Sequence, residues 1–254
     1  MTTVISIHSF RGGTGKSNTS SNIAGQLAAA GNRVAVVDTD IQSPGIHVLF
    51  GFSDDLDNTL NDYLWGKIPI AQAAHEVTDR VSGSTPVAEG GALYLIPSSM
   101  KSGDIARVLR EGYDVGTLND GFRDLARDLQ LDYLLIDTHP GLNEETLLSI
   151  TISDVLLLLM RPDRQDFQGT AVTVDVARKL GVPELFLIIN KVPSNIDSVD
   201  LREQMTQIYG AEVAAILPLA EEVVQNASEG LFSLTSPDHP WSAQIREAAA
   251  RVSQ

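Results

Sequence analysis

A glycine-rich segment near the start of the chain carries the residue types that hold a phosphate chain. Glycines let backbone N–H groups curl around phosphate oxygens, a lysine reaches the β- and γ-phosphates, and a hydroxyl holds Mg²⁺. The segment follows the apolar run of residues 4–7 and precedes a predicted helix, whose positive end would face the same anion. It therefore predicts a nucleoside triphosphate site, rather than a glycine-rich turn that binds nothing. The residues expected around the phosphates are Gly12, Gly13, Thr14, Gly15, Lys16, Ser17 and Asn18.

Acidic side chains end two of the other predicted strands. Asp38 and Asp40 stand at the end of the second strand, and Asp137 ends a later apolar run. Ligands of open α/β sheets lie outside the carboxyl ends of the strands. Because Mg²⁺ prefers oxygen ligands and keeps several waters, we expect Ser17 to bind it directly and both Asp38 and Asp137 to hold its waters. Asp40 stands further out and would orient the attacking water.

The pattern of strand followed by helix recurs along the chain. It predicts one α/β domain over residues 1–254, with a mostly parallel, twisted sheet and helices on both faces. Strands are expected at 3–9, 33–38, 93–97, 133–137, 154–160, 185–190 and 212–217. Helices are expected at 16–30, 57–66, 69–77, 103–111, 115–129, 143–150, 164–180 and 197–209, with two more at the C-terminal end and a surface loop at 78–91.

Composition narrows the function classes. Of the 254 residues 43% are hydrophobic, enough for one large domain. No apolar run reaches 18 residues, so we expect no membrane span and a cytoplasmic protein. A formal net charge of −15 disfavours nucleic acid and anionic lipid, although a local basic patch on a dimer could still bind DNA. The same charge would attract a basic segment of a partner protein.

The phosphate loop departs from the usual G-x-x-x-x-G-K-[ST] pattern, because Phe10 stands at its first glycine position. It resembles instead the deviant Walker A motif, K-G-G-x-G-K-[ST], of the ParA/MinD ATPases, which are SIMIBI-class P-loop proteins. Arg11 stands where that family has its first lysine, which reaches the nucleotide of the other subunit in a dimer. Arginine keeps the charge and adds a planar fork suited to phosphate. The resemblance implies that Arg11, Lys16 and Asp40 take part in catalysis, and that Arg11 binds the partner's ATP.

The resemblance extends to the two aspartate segments. Residues 38–40 are similar to switch I of the family, and residues 137–141 are similar to its Walker B and switch II motifs. This implies that Asp40 activates water and that the Gly141 amide senses the γ-phosphate. His139 departs from the family's Asp-x-Pro-x-Gly pattern. It could tune switch II, contact a partner or be a tolerated surface substitution.

Two further residues are expected at the purine base. The side-chain amide of Asn190 has a donor and an acceptor, which match an edge of adenine, although a turn residue that ends the strand is the alternative. In the family an asparagine at the end of this strand contacts the base. Pro218 lies in a segment that resembles the family's proline-containing loop beside the purine, but the acid that follows the proline in the family is displaced here.

ParA/MinD proteins are ATP-driven dimer switches, so the resemblance implies ATP and Mg²⁺ as cofactors and an ATP-dependent homodimer. Hydrolysis stimulated by a partner protein would separate the dimer and thereby position or partition DNA, a protein complex or another cargo. The same core occurs in small-molecule ligases, and a nucleotide-gated adaptor with little turnover is a further alternative. The sequence has no cysteine, which removes relatives that need thiols, such as iron–sulfur carriers and glutamine-dependent amidases.

The surface that such a dimer would bind is less well defined by the sequence. Residues 241–254 carry a net charge of only +1, whereas a membrane-binding helix needs a large apolar face and many basic residues. Direct membrane binding is therefore not expected. Non-specific DNA binding is a minority hypothesis.

Overall fold

One β-sheet carries the strand ends at which the predicted site residues lie. The computed structural model describes residues 1–81, 83, 85–226 and 228–253. The strands are β1 Thr3–His8, β2 Arg33–Asp38, β3 His75–Glu76, β4 Ala92–Ile96, β5 Tyr133–Asp137, β6 Val155–Met160, β7 Glu184–Val192 and β8 Glu212–Pro218. Within the described residues they lie in the order β3-β4-β2-β5-β1-β6-β7-β8, and the neighbours are parallel except for β3 and β4. β1 therefore lies inside the sheet, between β5 and β6.

Helices connect the parallel strands, as such crossovers require. They are α1 Lys16–Ala29, α2 Leu60–Leu64, α3 Thr78–Val81, α4 Ser102–Glu111, α5 Val115–Asp128, α6 Glu144–Thr151, α7 Arg164–Leu180, α8 Ser198–Tyr209, α9 Glu221–Gln225, α10 Phe232–Thr235 and α11 Pro240–Val252. Two 3-10 helices occupy Ile46–Phe50 and Ile70–Ala73. Among the described residues, no helix is both long enough and apolar enough to cross a membrane.

The sheet is buried on both faces, as is usual for parallel strands. In β6 every residue is buried. Its alternate side chains enter different clusters: Leu157 and Leu159 lie with residues of α1 and α11, whereas Leu156 and Leu158 lie with residues of α7 and α8. Burial of one such leucine contributes about 1.5–3 kcal/mol. The sheet is thus a firm support for the side chains at its carboxyl edge.

The structure confirms the predicted fold class, an α/β domain with a mostly parallel sheet. Three local predictions are wrong. Within the part of the chain that the structure describes, three helices, α9, α10 and α11, stand at the C-terminal end where two were expected. The helix expected at 69–77 is a 3-10 helix followed by β3, because His75 pairs with Leu95 at the sheet edge. The loop expected at 78–91 begins with α3, whose Val81 is buried against the core, while Ser82 and Ser84 of that loop lie outside the described residues.

Candidate functional site

The glycine-rich segment forms the turn between β1 and α1. Gly13 and Gly15 adopt left-handed backbone conformations, with φ of 75° and 96°. At Gly15 a side chain would also collide, because its Cβ would lie 2.5 Å from Nδ2 of Asn190. Position 15 therefore requires glycine both for its backbone angle and for space.

β7 holds this turn through two side chains. Nδ2 of Asn190 donates to the carbonyl oxygen of Thr14 at 2.8 Å, and Nζ of Lys191 donates to that of Gly13 at 2.9 Å. Oδ1 of Asn190 accepts from the N–H of Lys191 at 2.8 Å. Each atom of the amide keeps the capacity for one more hydrogen bond, so the contact of Asn190 with adenine stays a prediction. The structure gives Asn190 a further role, which is to fix the phosphate loop.

α1 begins directly behind the turn and has no side-chain cap. By contrast, α5, α6, α7 and α8 are each capped by an Asp or Asn side chain. The first turn of α1 also contains no acid, so its N–H groups and its positive end are left for an anion. Lys16, the first residue of the helix, is only 7% exposed. This end of α1 has the properties predicted for the phosphate site.

Asp38 and Asp137 lie side by side at the carboxyl ends of β2 and β5. They are register partners in the parallel pair, and each is buried. Burial, and to a lesser degree the charge of Asp137, raises the pKa of Asp38 well above its usual value. Burial also raises the pKa of Asp137 to about 6, although the charge of Lys16 opposes the shift. A cation between the two carboxylates would relieve this unfavourable arrangement.

The residues around this pair fit a hydrated Mg²⁺. Oδ1 of Asp137 is buried and has no hydrogen-bond partner among the described residues. Ser17, the predicted direct ligand, lies close enough to Asp137 for its hydroxyl to lower the pKa of that carboxyl group. Within the described ranges, no group of three His, Cys, Asp or Glu side chains could enclose a metal ion. The oxygen donors of Asp38, Asp137 and Ser17 suit an ion that keeps waters and phosphate oxygens among its ligands, as Mg²⁺ does.

Asp40 lies outside the buried pair and faces the segment 137–141. Its Oδ1 accepts from the N–H of Ser43 at 3.2 Å. Nδ1 of His139 lies 3.0 Å from the same oxygen, although the contact is not aligned as a hydrogen bond. Burial raises the pKa of Asp40, and the charges of His139 and Lys16 oppose this. The structure thus brings the segments 38–40 and 137–141 together through these two side chains.

Arg11 turns towards α7 of its own chain. Its Nη1 donates to Oε1 of Gln165 and lies 3.7 Å from Oδ1 of Asp166. Asp166 is shared with Arg161, whose Nε donates to Oδ2 at 2.9 Å. The side chain of Arg11 is 41% exposed, whereas that of Asp166 is 3% exposed. The guanidinium is therefore held on α7 at the surface of the protein.

Phe10, which replaces the usual first glycine of the loop, packs on α7 next to Arg11. A Cβ at Gly169 would lie 2.2 Å from the Phe10 ring, so only the bare backbone of glycine admits the ring there. Phe10 and Val172 are both exposed large apolar side chains. Together with the guanidinium they line a shallow cavity on this face of the molecule.

The remaining predicted residues surround the loop. The N–H of Gly141 donates to the carbonyl oxygen of Ser9 at 3.2 Å, so its predicted contact with a γ-phosphate requires that bond to open. Pro218 lines a cavity of about 210 Å³ together with Gly15, Asn18 and Asn190. A cavity beside the phosphate loop, with a proline wall and an amide, suits a purine base.

His8, which the sequence motifs did not indicate, joins β1 to the segment 137–141. The side chain is fully buried, and its Nδ1 lies 2.8 Å from Oγ1 of Thr138. That hydroxyl donates its own proton to the carbonyl oxygen of Ile7 at 2.9 Å. It must therefore accept from His8, whose proton lies on Nδ1. Burial, followed by the charges of Lys16 and His139, lowers the pKa of His8 to about 3. A histidine inside an apolar strand was the only signal in the sequence.

Comparisons with known proteins agree with this geometry. A family model described as the CobQ/CobB/MinD/ParA nucleotide binding domain matches residues 5–234. An uncharacterised ATP-binding protein of Methanocaldococcus jannaschii is 27% identical over 253 residues, which cover 99% of this chain and 88% of that protein. An iron–sulfur cluster carrier protein of Pseudomonas fragi is 26% identical over 264 residues, with 97% and 83% covered.

Among solved structures, the septum site-determining protein MinD of Pyrococcus horikoshii, in complex with Mg-ADP, has a similar fold. The TM-score is 0.81 at 22% identity, and the superposition covers 100% of this chain and 97% of that chain. The names of these relatives range from septum placement to iron–sulfur clusters, so they do not define a cargo. This sequence has no cysteine and therefore offers no thiolate ligand for an iron–sulfur cluster.

Proposed function

Because the chain belongs to the CobQ/CobB/MinD/ParA nucleotide-binding family, we propose that it is a dimerisation switch of the ParA/MinD type that binds and hydrolyses ATP. The observation that carries this proposal is one shared edge of the sheet. The uncapped start of α1 and the buried pair Asp38 and Asp137 lie there together. An anion site beside a cation site is what the Mg²⁺ complex of a triphosphate needs.

Each residue of the site would have its own role in ATP hydrolysis. Lys16 and the loop amides would neutralise and hold the phosphates, while Ser17 would bind Mg²⁺, and Asp38 and Asp137 would hold the waters of that ion. Asp40 would orient the attacking water, since it is the carboxylate of this edge that lies outside the buried pair. Bound Mg²⁺ would supply charge neutralisation for the transferred phosphoryl group.

The location of Arg11 supports the proposal of a dimer. Arg11 is 41% exposed, and it stands beside the exposed apolar side chains of Phe10 and Val172. This face would meet a second copy, and Arg11 would then leave α7 for the phosphates of the partner's ATP. A guanidinium supplied in this way stabilises the charge of the transition state.

The cycle would run in the cytoplasm and would move a cargo with the help of an activating partner. The net charge of −15 favours an activator with a basic segment over direct contact with DNA or with anionic lipid. The position of the cargo would then follow from repeated assembly and separation of the dimer.

Light scattering combined with phosphate-release assays tests the proposal. The wild-type protein should release phosphate from Mg·ATP, Lys16→Ala should lose nucleotide binding, and Asp40→Ala should accumulate as an ATP-bound dimer. A strictly monomeric Asp40→Ala protein with bound Mg·ATP would contradict the switch. Phosphate release that depends on a small metabolite would instead identify a ligase.

A further inference from the structure

A histidine of switch II lies against the carboxylate that would orient the attacking water. Nδ1 of His139 is 3.0 Å from Oδ1 of Asp40, and the two side chains are only 24% and 17% exposed. Proline, the usual residue of the family at this position, has no side-chain donor. The contact is therefore a property of this chain and needs its own explanation.

The backbone on both sides of His139 is fixed, so the ring does not reach Asp40 by chance. The N–H and Oγ1 of Thr138 both donate to the carbonyl oxygen of Ile7 in β1, at 3.2 and 2.9 Å. On the other side, Oγ1 of Thr146 donates to the carbonyl oxygen of His139 at 3.3 Å. The central strand and α6 thus set the direction in which the imidazole leaves the chain.

The contact uses one oxygen of Asp40 and leaves the other available. Oδ1 is approached by Nδ1 of His139 and accepts from the N–H of Ser43. Among the described residues no hydrogen bond is made to Oδ2. Because the two contacts hold Oδ1 in place, they also set the orientation of the carboxylate. Oδ2 then points in a defined direction, in which it could bind a water.

We propose that His139 is a positioning residue for Asp40, which holds Oδ1 so that Oδ2 meets the attacking water. The inference rests on the proposed ATPase function and deepens it. Catalytic hydrogen bonds are often poorly aligned before substrate binds and tighten in the complex, which agrees with a contact of 3.0 Å that is not yet aligned. His139 also makes the position of Asp40 depend on that of switch II.

Two amide variants of His139 test which ring nitrogen is responsible for the effect. The side-chain nitrogen of asparagine can occupy the place of Nδ1, whereas that of glutamine reaches the place of Nε2.

The measurements are single-turnover hydrolysis of Mg·ATP with protein in excess and, separately, the affinity for Mg·ATP. His139→Ala should lower the hydrolysis rate about tenfold or more, as the loss of a hydrogen bond to a charged group does, with the affinity within about threefold of wild type. His139→Asn should recover most of the rate, and His139→Gln should behave like His139→Ala.

A double variant tests whether the effect passes through Asp40. In an Asp40→Ala background, His139→Ala should cause little further loss, because residues that act as a unit are not additive. The control is His75→Ala, at the far edge of the sheet, which should hydrolyse ATP like wild type.

Each other outcome overturns the inference. These outcomes are an unchanged rate in His139→Ala, equal losses in all three single variants, recovery by glutamine instead of asparagine, a parallel loss of affinity, or additive losses with Asp40→Ala. Failure of the wild-type protein to hydrolyse ATP is a different result. It overturns the proposed function itself.

Discussion

Nδ2 of Asn190 donates to the carbonyl oxygen of Thr14 at 2.8 Å, and this bond joins the end of β7 to the phosphate loop. The same nitrogen lies where a Cβ on Gly15 would need space. The shape of the loop therefore depends on a strand that follows it by more than a hundred residues, and not only on its own glycines.

Gly15→Ala should displace Asn190 and loosen the phosphate loop. Backbone strain at a φ of 96° costs about 1–3 kcal/mol, and the collision at 2.5 Å adds to it. We expect the affinity for Mg·ATP, measured by calorimetry, to fall at least tenfold. Gly51→Ala is the control, because its φ is 73° but nothing lies within 4 Å of its Cβ position. It should lose stability and keep the affinity; equal affinities in the two variants would contradict this account.

Gln165→Ala should favour the ATP-dependent dimer. The side chain accepts a hydrogen bond from Arg11, and its removal leaves the guanidinium its 3.7 Å contact with Asp166. A hydrogen bond of this kind contributes about 0.5–1.5 kcal/mol, so the dissociation constant of the proposed dimer should fall a few-fold. Light scattering over a range of protein concentrations measures it.

Arg11→Ala should lose the dimer and still bind ATP, because its guanidinium contacts α7 rather than the loop of its own chain. Calorimetry with Mg·ATP and light scattering on the same sample measure the two properties. If Arg11→Ala dimerised like wild type, the proposed role of this cation would be wrong.

Asp137→Asn should stabilise the nucleotide-free protein at pH 7 and weaken Mg·ATP binding. A carboxyl group whose pKa is raised in the folded state binds its proton more tightly there than in the unfolded chain. The free energy of unfolding therefore falls as pH rises from about 4 to about 6, and asparagine removes that loss. Thermal unfolding at pH 7 should show a higher midpoint for the variant. Asp175→Asn, on the surface of α7, is the control and should change neither quantity.

The pH dependence of binding should have the same origin in the wild-type protein. Because Asp137 must be ionised to hold the waters of Mg²⁺, the affinity for Mg·ATP should fall as the pH drops below about 6. A flat affinity between pH 5 and 7, about one unit either side of that value, would argue against Asp137 at the ion.

His8→Asn should reduce the loss of stability in mild acid. The pKa of His8 is lowered to about 3 in the folded protein, whereas an unfolded histidine titrates near 6.5. The unfolded chain therefore gains a proton first, and His8 alone costs about 2 kcal/mol between pH 7 and pH 5. The amide of asparagine can donate to Thr138 without titrating. Urea unfolding at the two pH values should show a smaller drop for the variant, and an equal drop would contradict the buried neutral imidazole.

Sequence predicts the parts of this site that are local in the chain. The strand, the turn and α1 are contiguous, and Asp38 and Asp137 end apolar runs, so parallel pairing makes them neighbours. The contacts that hold Arg11 and His8 could not be predicted in the same way. Gln165 is separated from Arg11 by more than a hundred residues, and its partner is set by how α7 packs on the sheet.

Gly169 leaves a gap in the side-chain layer of α7, and the ring of Phe10 fills it. A tilt of this helix would therefore carry residue 10 along, and with it the adjoining guanidinium. An activator that binds the outer surface of α7 would change how far Arg11 extends towards a neighbouring subunit, although it never touches the nucleotide.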